Sequence, residues 1–256
     1  MSMLVDFLCR FGWGLSAALV ITPAALVPAG FFRVNMLVVL GLATLASLLA
    51  GQTLPSLGWL LPAAGAVTAW LASVAWLAER RRAGILLCAA SAVLLAAATV
   101  LAHMQPGLPT AAGSATHTAA GVAQAAARAL LSGLVTGLTV HAMLLGHWYL
   151  NAPGMRVDVL RRMIDWALAA WAAQLVVTLA CAAGSPESAG AAAGSTTVAL
   201  QSLRWLAGLV GLPILLWLSR KTLDIPNTQS ATGILYVACL AAILGELTAQ
   251  LLMVAA

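Results

Sequence analysis

Residues 11–51 read FGWGLSAALVITPAALVPAGFFRVNMLVVLGLATLASLLAG, and Arg33 is the single charge among them. A membrane-spanning helix needs about 20 mainly apolar residues, so this stretch is long enough for two. It is either a tight pair of spans parted at Arg33 and Asn35, or one long span bent at Pro23 and Pro28. The choice sets which side of the membrane every later loop occupies.

Outward from this stretch, further apolar segments cover residues 58–78, 84–102, 127–150, 163–183, 198–219 and 231–254. With 11–32 and 34–51 as two spans, the chain has eight. The loops on the side away from the N-terminus then carry Arg33, Arg80, Arg81, Arg82, Arg156, Arg161, Arg162, Arg220 and Lys221. The N-terminal side carries Arg10, Arg128 and Arg204, completing the twelve basic residues. Cytoplasmic loops are the ones enriched in Lys and Arg, so the basic side is read as cytoplasmic and both termini as non-cytoplasmic. Merging the first two spans would place Arg80–Arg82 opposite the other basic loops. The eight-span count is the one that makes the charges agree.

Composition supports the same class. The 256 residues are 62% hydrophobic and 7% charged, where a soluble domain carries about 25% charged residues. So few charges cannot coat a soluble surface, but a lipid-facing surface needs no polar coat. The net charge of +5 is spread in singles, pairs and triplets between apolar stretches. It reads as topology and attraction to anionic lipid, not as a nucleic-acid surface. The N-terminus lacks a basic region ahead of its apolar stretch and reads as a first span, not a cleaved signal.

The fold expected is an all-α integral membrane protein, a bundle of about eight transmembrane helices forming one polytopic domain over 1–256. Long outer links around 103–126 and 184–197 suggest a 4+4 arrangement with halves 1–102 and 127–256, although the halves share no clear sequence similarity. The second link is low-complexity. No loop is long enough for an appended soluble domain.

Helices in lipid associate through small residues and polar contacts. Gly133-Leu-Val-Thr-Gly137 supplies such a pattern, and His141 follows four residues on, so all three share a helix face. Most tryptophans, including Trp13, Trp59, Trp76, Trp148, Trp166, Trp205 and Trp217, fall near the ends of the spans and suit an interfacial belt. Gly208-Leu-Val-Gly-Leu-Pro213 is expected to kink or interrupt the seventh span. Pro23 and Pro28 are expected to bend the first.

Ionisable groups inside a bilayer are costly and mark candidate function. Glu246 lies 15 residues past the start of the last segment, ~22 Å along the helix, which puts it near the midplane or slightly outward. Gln250 shares its face. A carboxyl group there can take up and release protons; it can equally bind neighbouring helices together. His141, ~14 Å from the cytoplasmic end of the fifth span, is a second candidate, for a proton relay, ligand contact or haem ligand, or as a histidine bonded to one carbonyl. Gln174, deep in the sixth span, completes a candidate intramembrane polar site of His141, Glu246, Gln250 and Gln174.

A second cluster lies toward the cytoplasmic face. It comprises His147, Tyr149 and Asn151 at the end of the fifth span, and Asn227, Thr228, Gln229 and Ser230 before the eighth. The two stretches are read as one vestibule. The simpler reading is an aromatic belt and helix stop in the first and helix N-caps in the second. Asp165, three and four residues after Arg162 and Arg161, is expected to pair with them on the helix surface.

Hydrolase, zincin, phosphate-loop and dinucleotide motifs are absent, so no catalytic or metal-ligating residues are assigned and the chain leans away from an enzyme. Cys9, Cys88, Cys181 and Cys239 form no close-spaced motif; a Cys9–Cys181 disulfide is open if both lie outside. The four histidines offer no pair at equal depth on two helices, so haem and quinone are minor possibilities and no cofactor is expected. The reading is a multi-pass protein of a bacterial inner membrane, with lipid and further subunits as partners and no nucleic acid. It would form a pathway for a proton, ion or small solute. The alternatives are a membrane subunit of a redox complex with a quinone or haem site, and a scaffold or assembly factor.

Overall fold

Ala119–Asn151 forms one uninterrupted helix, α5, around which the other spans are arranged. The computed structural model describes residues 3–53, 57–104, 119–152, 154–183, 195–225 and 227–255. The remaining helices are α1 (Met3–Ile21), α2 (Ala29–Thr53), α3 (Leu60–Leu77), α4 (Arg81–Met104), α6 (Val157–Ala183), α7 (Ser195–Leu203), α8 (Leu212–Thr222) and α9 (Thr228–Ala255). A short 3-10 turn, Leu57–Trp59, precedes α3, and a π-helical segment, Arg204–Gly211, joins α7 to α8. The described residues are helical with no strand, and eight helical runs are long and apolar enough to cross a membrane. The protein is an all-α, multi-pass bundle. The links 105–118 and 184–194, with His117 and Glu187, lie outside the described residues.

α1 to α4 pack in a closed cycle, each against the next and α4 back against α1. α5, α6, α8 and α9 form a second cycle, and α1 against α5 is the main contact between the two. That contact is made by glycine. A Cβ on Gly137 would lie 2.1 Å from the carbonyl carbon of Gly14, and one on Gly133 would lie 2.4 Å from the carbonyl oxygen of Arg10. Only hydrogen fits where two helix backbones approach this closely. The pairings 10 with 133 and 14 with 137 advance together, so α1 and α5 run parallel.

α9 packs on another face of α5 in the opposite direction. Ser132 meets Glu246, the carbonyl of Thr139 meets Cys239, and Gly146 meets Thr232. The contacts recur every seven residues on both helices, the seam period of helices crossing at a shallow angle. The seventh span is peripheral: 6% of its apolar window is buried, against 72% for α5.

Three local expectations change. α1 ends at Ile21, not near Phe32, because Pro23 and Pro28 are the link itself and not bends within a span. A proline lacks the N–H that would continue the helix and disfavours helix at the residue before it, whereas Pro28 is well tolerated where a new helix starts. Arg33 consequently sits in the second turn of α2, exposed. Trp76 is not at an interface: it is 1% exposed and stacks on Phe32 with ring centroids 4.2 Å apart. Asp165 pairs with Arg220 of α8 at 2.9 Å, across to the next helix, and not with Arg161 or Arg162.

The glycine–proline stretch of the seventh span does interrupt the α-helix. The N–H of Leu212 bonds the carbonyl of Ala207, five residues back, and Pro213 opens α8. Pro213 has no N–H for the carbonyls of the preceding turn, and the wider π register absorbs that loss.

Candidate functional site

Glu246 is the hub of a polar layer built from several helices. Asp6 and Arg10 lie one turn apart on α1 and form an ion pair, four residues being the spacing that stacks side chains on a helix. Arg10 reaches across to α9, where its Nη1 donates to Glu246 Oε1 at 2.8 Å. Its Nη2 lies 3.2 Å from His103 Nε2 at the end of α4. Gln250 Nε2, one turn beyond Glu246, donates to the same Oε1 at 2.8 Å. The Ser132 hydroxyl of α5 donates to Oε2. Arg10 and Glu246 side chains are each 5% exposed.

Burying two opposite charges is tolerable only where each is paired and its remaining bonding positions are met. Glu246 accepts three such bonds. The arrangement explains why Gly133 is needed: it lets the α1 backbone at Arg10 come within contact of α5, beside Ser132.

On the other side of Glu246 is a cavity of about 30 Å³, lined among others by Ser132, Thr136, Gln174, Arg204, Gly208 and Glu246. Gln174 comes from α6 and Arg204 from the π segment, so six helical elements contribute to one layer. Gly208 and Gly245 touch, a Cβ on Gly245 falling 2.7 Å from Cα of Gly208. This brings the π segment onto α9 and sets Arg204 beside the carboxylate. Arg204 and Glu246 line the same cavity. Arg128 lies one turn before Ser132 on α5, and its Nε is buried without a hydrogen-bond partner.

Of the intramembrane residues singled out from sequence, Glu246, Gln250 and Gln174 are brought together here. Glu246 lies 18 residues from the start of α9 and nine from its end, on the terminus-bearing side of the helix middle. His141 is elsewhere. It is fully buried nine residues further along α5, ~14 Å from Ser132, on the face toward α1 and α6. Its Nε2 is 2.8 Å from Thr22 Oγ1, whose own proton goes to the Ala18 carbonyl at 2.7 Å. Its Nδ1 has no partner, and Phe31 meets the ring edge-on at 5.3 Å.

The residues of the second cluster divide. His147 Nδ1 lies 3.0 Å from the Tyr236 hydroxyl of α9. Asn227 caps α9, its Oδ1 accepting from the Ser230 N–H at 3.0 Å, and with Ile225, Thr228 and Gln229 it lines an open groove of about 360 Å³. Tyr149 turns inward and donates to the Arg156 carbonyl, closing the α5–α6 link. Asn151 bonds back to the His147 carbonyl at 3.3 Å. Cys9 is a free, buried thiol, and the side chain of Cys181 lies outside the described residues.

Sequence reading counted Arg10, Arg128 and Arg204 on the N-terminal side of the membrane and missed their place in this layer. The Asp6–Arg10 spacing was the available signal, since an i, i+4 ion pair ahead of an apolar helix has no need to face water.

No protein-family model, curated protein or solved structure matches the chain.

Proposed function

We propose that the protein forms a non-enzymatic pathway through the membrane for a proton, ion or small solute, and that Glu246 is its central group. The observation that carries this is the double position of Glu246. One oxygen is held by Arg10 and Gln250, while the residue also lines a cavity with Ser132, Gln174 and Arg204. A carboxylate that touches both a buried cation and a cavity can change partners when it takes up or releases a proton.

The α5–α9 seam supplies the remainder of the route. From Glu246 and Ser132 it passes Cys239 and Thr139 to the Tyr236–His147 pair and the groove at Asn227. His141 stands off this seam, against Thr22 and Phe31. Arg10, Arg128 and Arg204 lie within helices, so they do not count as loop charges. The nine remaining basic residues all sit at the end opposite the termini. That favours a cytoplasmic location for this end, with both termini on the non-cytoplasmic side of a bacterial inner membrane.

The test is proton flux into proteoliposomes loaded with a pH dye, driven by a potassium diffusion potential. Glu246→Gln is expected to abolish flux while the protein stays folded, because Gln can still accept from Arg10 and Ser132. Full flux in that variant would sink the role of Glu246. A second reading, a scaffold held by polar contacts, is favoured by the three hydrogen bonds that tie Glu246 to α1, α5 and its own helix. It predicts no wild-type flux at all. A haem band or stoichiometric quinone in the purified protein would instead assign a redox subunit.

A further inference from the structure

We propose that Arg33, Arg80, Arg81 and Arg82, at the basic end of the α1–α4 half, hold the phosphate of an anionic phospholipid whose acyl chains lie along α2, α3 and α4. The site goes beyond the pathway reading and rests only on the bundle spanning a membrane.

The link from α3 to α4 is Ala78–Arg80 alone. The Glu79 N–H bonds the Trp76 carbonyl at 3.1 Å, and the Arg80 N–H bonds the Ala75 carbonyl at 2.9 Å. Glu79 takes the left-handed conformation, φ 55°. Such bonds close the end of a helix, and here they fix where Arg80, Arg81 and Arg82 start. Arg33 reaches the same corner from α2, where each residue turns ~100° from the last. Phe31 faces His141 and Trp148 of α5, and Phe32, one step on, stacks on Trp76 of α3. A further step brings Arg33 out, exposed, on the edge of α2 beside α3. Arg80 lies one turn beyond Trp76.

Among the described residues, these four exposed cations have no ion pair and no side-chain hydrogen bond. Glu79 is the one acid beside them, and it pairs with none. Glu187 belongs to the link 184–194, which joins α6 to α7 at the opposite end of the bundle, the length of α6 away. The α5–α9 half differs at its basic end. There Arg156 pairs with Asp158, Arg161 and Lys221 with Asp224, and Arg220 with Asp165. Arg162 is the exception. Topology does not explain this difference, because acids contribute little to the positive-inside bias. Helix stability does not explain it either: the first turn of α4, which holds Arg81 and Arg82, favours acids.

The wall below the cluster selects the partner. Arg33 stands one turn from Leu37 on α2, and Arg82 one turn from Leu86 on α4. Val74 and Leu77 belong to α3, which packs against both helices. All four apolar side chains are exposed. A soluble acidic partner would use the arginines and leave this wall bare. A phospholipid uses both: its phosphate matches the paired N–H donors of guanidinium, and its chains cover the wall. A zwitterionic headgroup would bring another cation to a cluster that lacks anions, so the anionic lipid is preferred.

The experiment is native mass spectrometry of the full-length, delipidated protein in detergent, titrated with dioleoyl phosphatidylglycerol or dioleoyl phosphatidylcholine. One phosphatidylglycerol per chain should bind about tenfold more tightly than phosphatidylcholine. Arg81→Gln combined with Arg82→Gln should bring the two lipids to equal affinity. Arg156→Gln combined with Arg162→Gln, at the other half, should leave the preference unchanged. Gel filtration checks that each variant is folded; if the Arg81, Arg82 variant is not, Arg33→Gln decides, with a several-fold weaker hold on phosphatidylglycerol expected. The proposal is overturned by equal affinity for the two lipids in the wild type, or by a preference that survives loss of Arg81 and Arg82 or of Arg33. An equal loss in the Arg156, Arg162 variant would make the attraction diffuse and overturn it as well. Binding of a polyglutamate peptide without any lipid preference would assign the surface to an acidic protein instead. Absent proton flux in proteoliposomes would sink the pathway and leave this site standing; equal lipid affinities with intact flux would do the reverse.

Discussion

The two ends of the bundle use the same side chains to opposite effect. At one end Arg10 and Glu246 are each 5% exposed and share their bonding capacity with Asp6, Ser132 and Gln250. At the other, Arg220 and Asp165 pair at 2.9 Å with exposures of 31% and 53%, and Asp224 is shared by Arg161, Arg220 and Lys221 at 3.5–3.7 Å. Distance does not separate the two. Solvent does: exposed pairs are worth about 0–1 kcal/mol, whereas removing one partner of a buried pair costs about 3–5 kcal/mol. The exposed end tolerates change and anchors loops; the buried end fixes which helices are neighbours.

The largest break in this contrast is Gly137→Leu. Its side chain would start where the Gly14 backbone already is, prying α1 from α5 and taking Arg10 away from Ser132 and Glu246. Loss of the monodisperse folded protein on gel filtration is expected. Next comes Arg10→Met, which strands two carboxylates. A loss of about 3–5 kcal/mol is expected, read from unfolding in detergent. Adding Glu246→Gln should recover part of it, and strictly additive losses would show that the two groups do not act on each other. The smallest effect belongs to Asp165→Asn at the exposed end, within about 1 kcal/mol. A larger loss there would erase the distinction between the ends.

The eight spans were legible because an apolar run of spanning length is a strong signal. Glu246, Gln250 and Gln174 were legible for the same reason turned round: a polar group inside such a run stands out. Two things were not. Pro23 and Pro28 lie in an apolar stretch, and hydropathy does not distinguish a bent helix from a turn that is itself apolar. Arg10, Arg128 and Arg204 lie near the ends of apolar runs, where a charge is expected to face water. Only packing, set by Gly133 on one side and by Gly208 against Gly245 on the other, turns Arg10 and Arg204 inward onto the same carboxylate.

Arg10 and Glu246 are separated by 236 positions, and that interval has a meaning during biogenesis. A ribosome delivers α1 to the membrane with Arg10 accompanied by a single acid, Asp6. Ser132 follows with α5, and the second acid comes only with α9. The layer is consequently closed when α9 docks. Until then α1 carries a basic group that lacks its second counter-charge, so the docking of α9 and the neutralisation of α1 become one event.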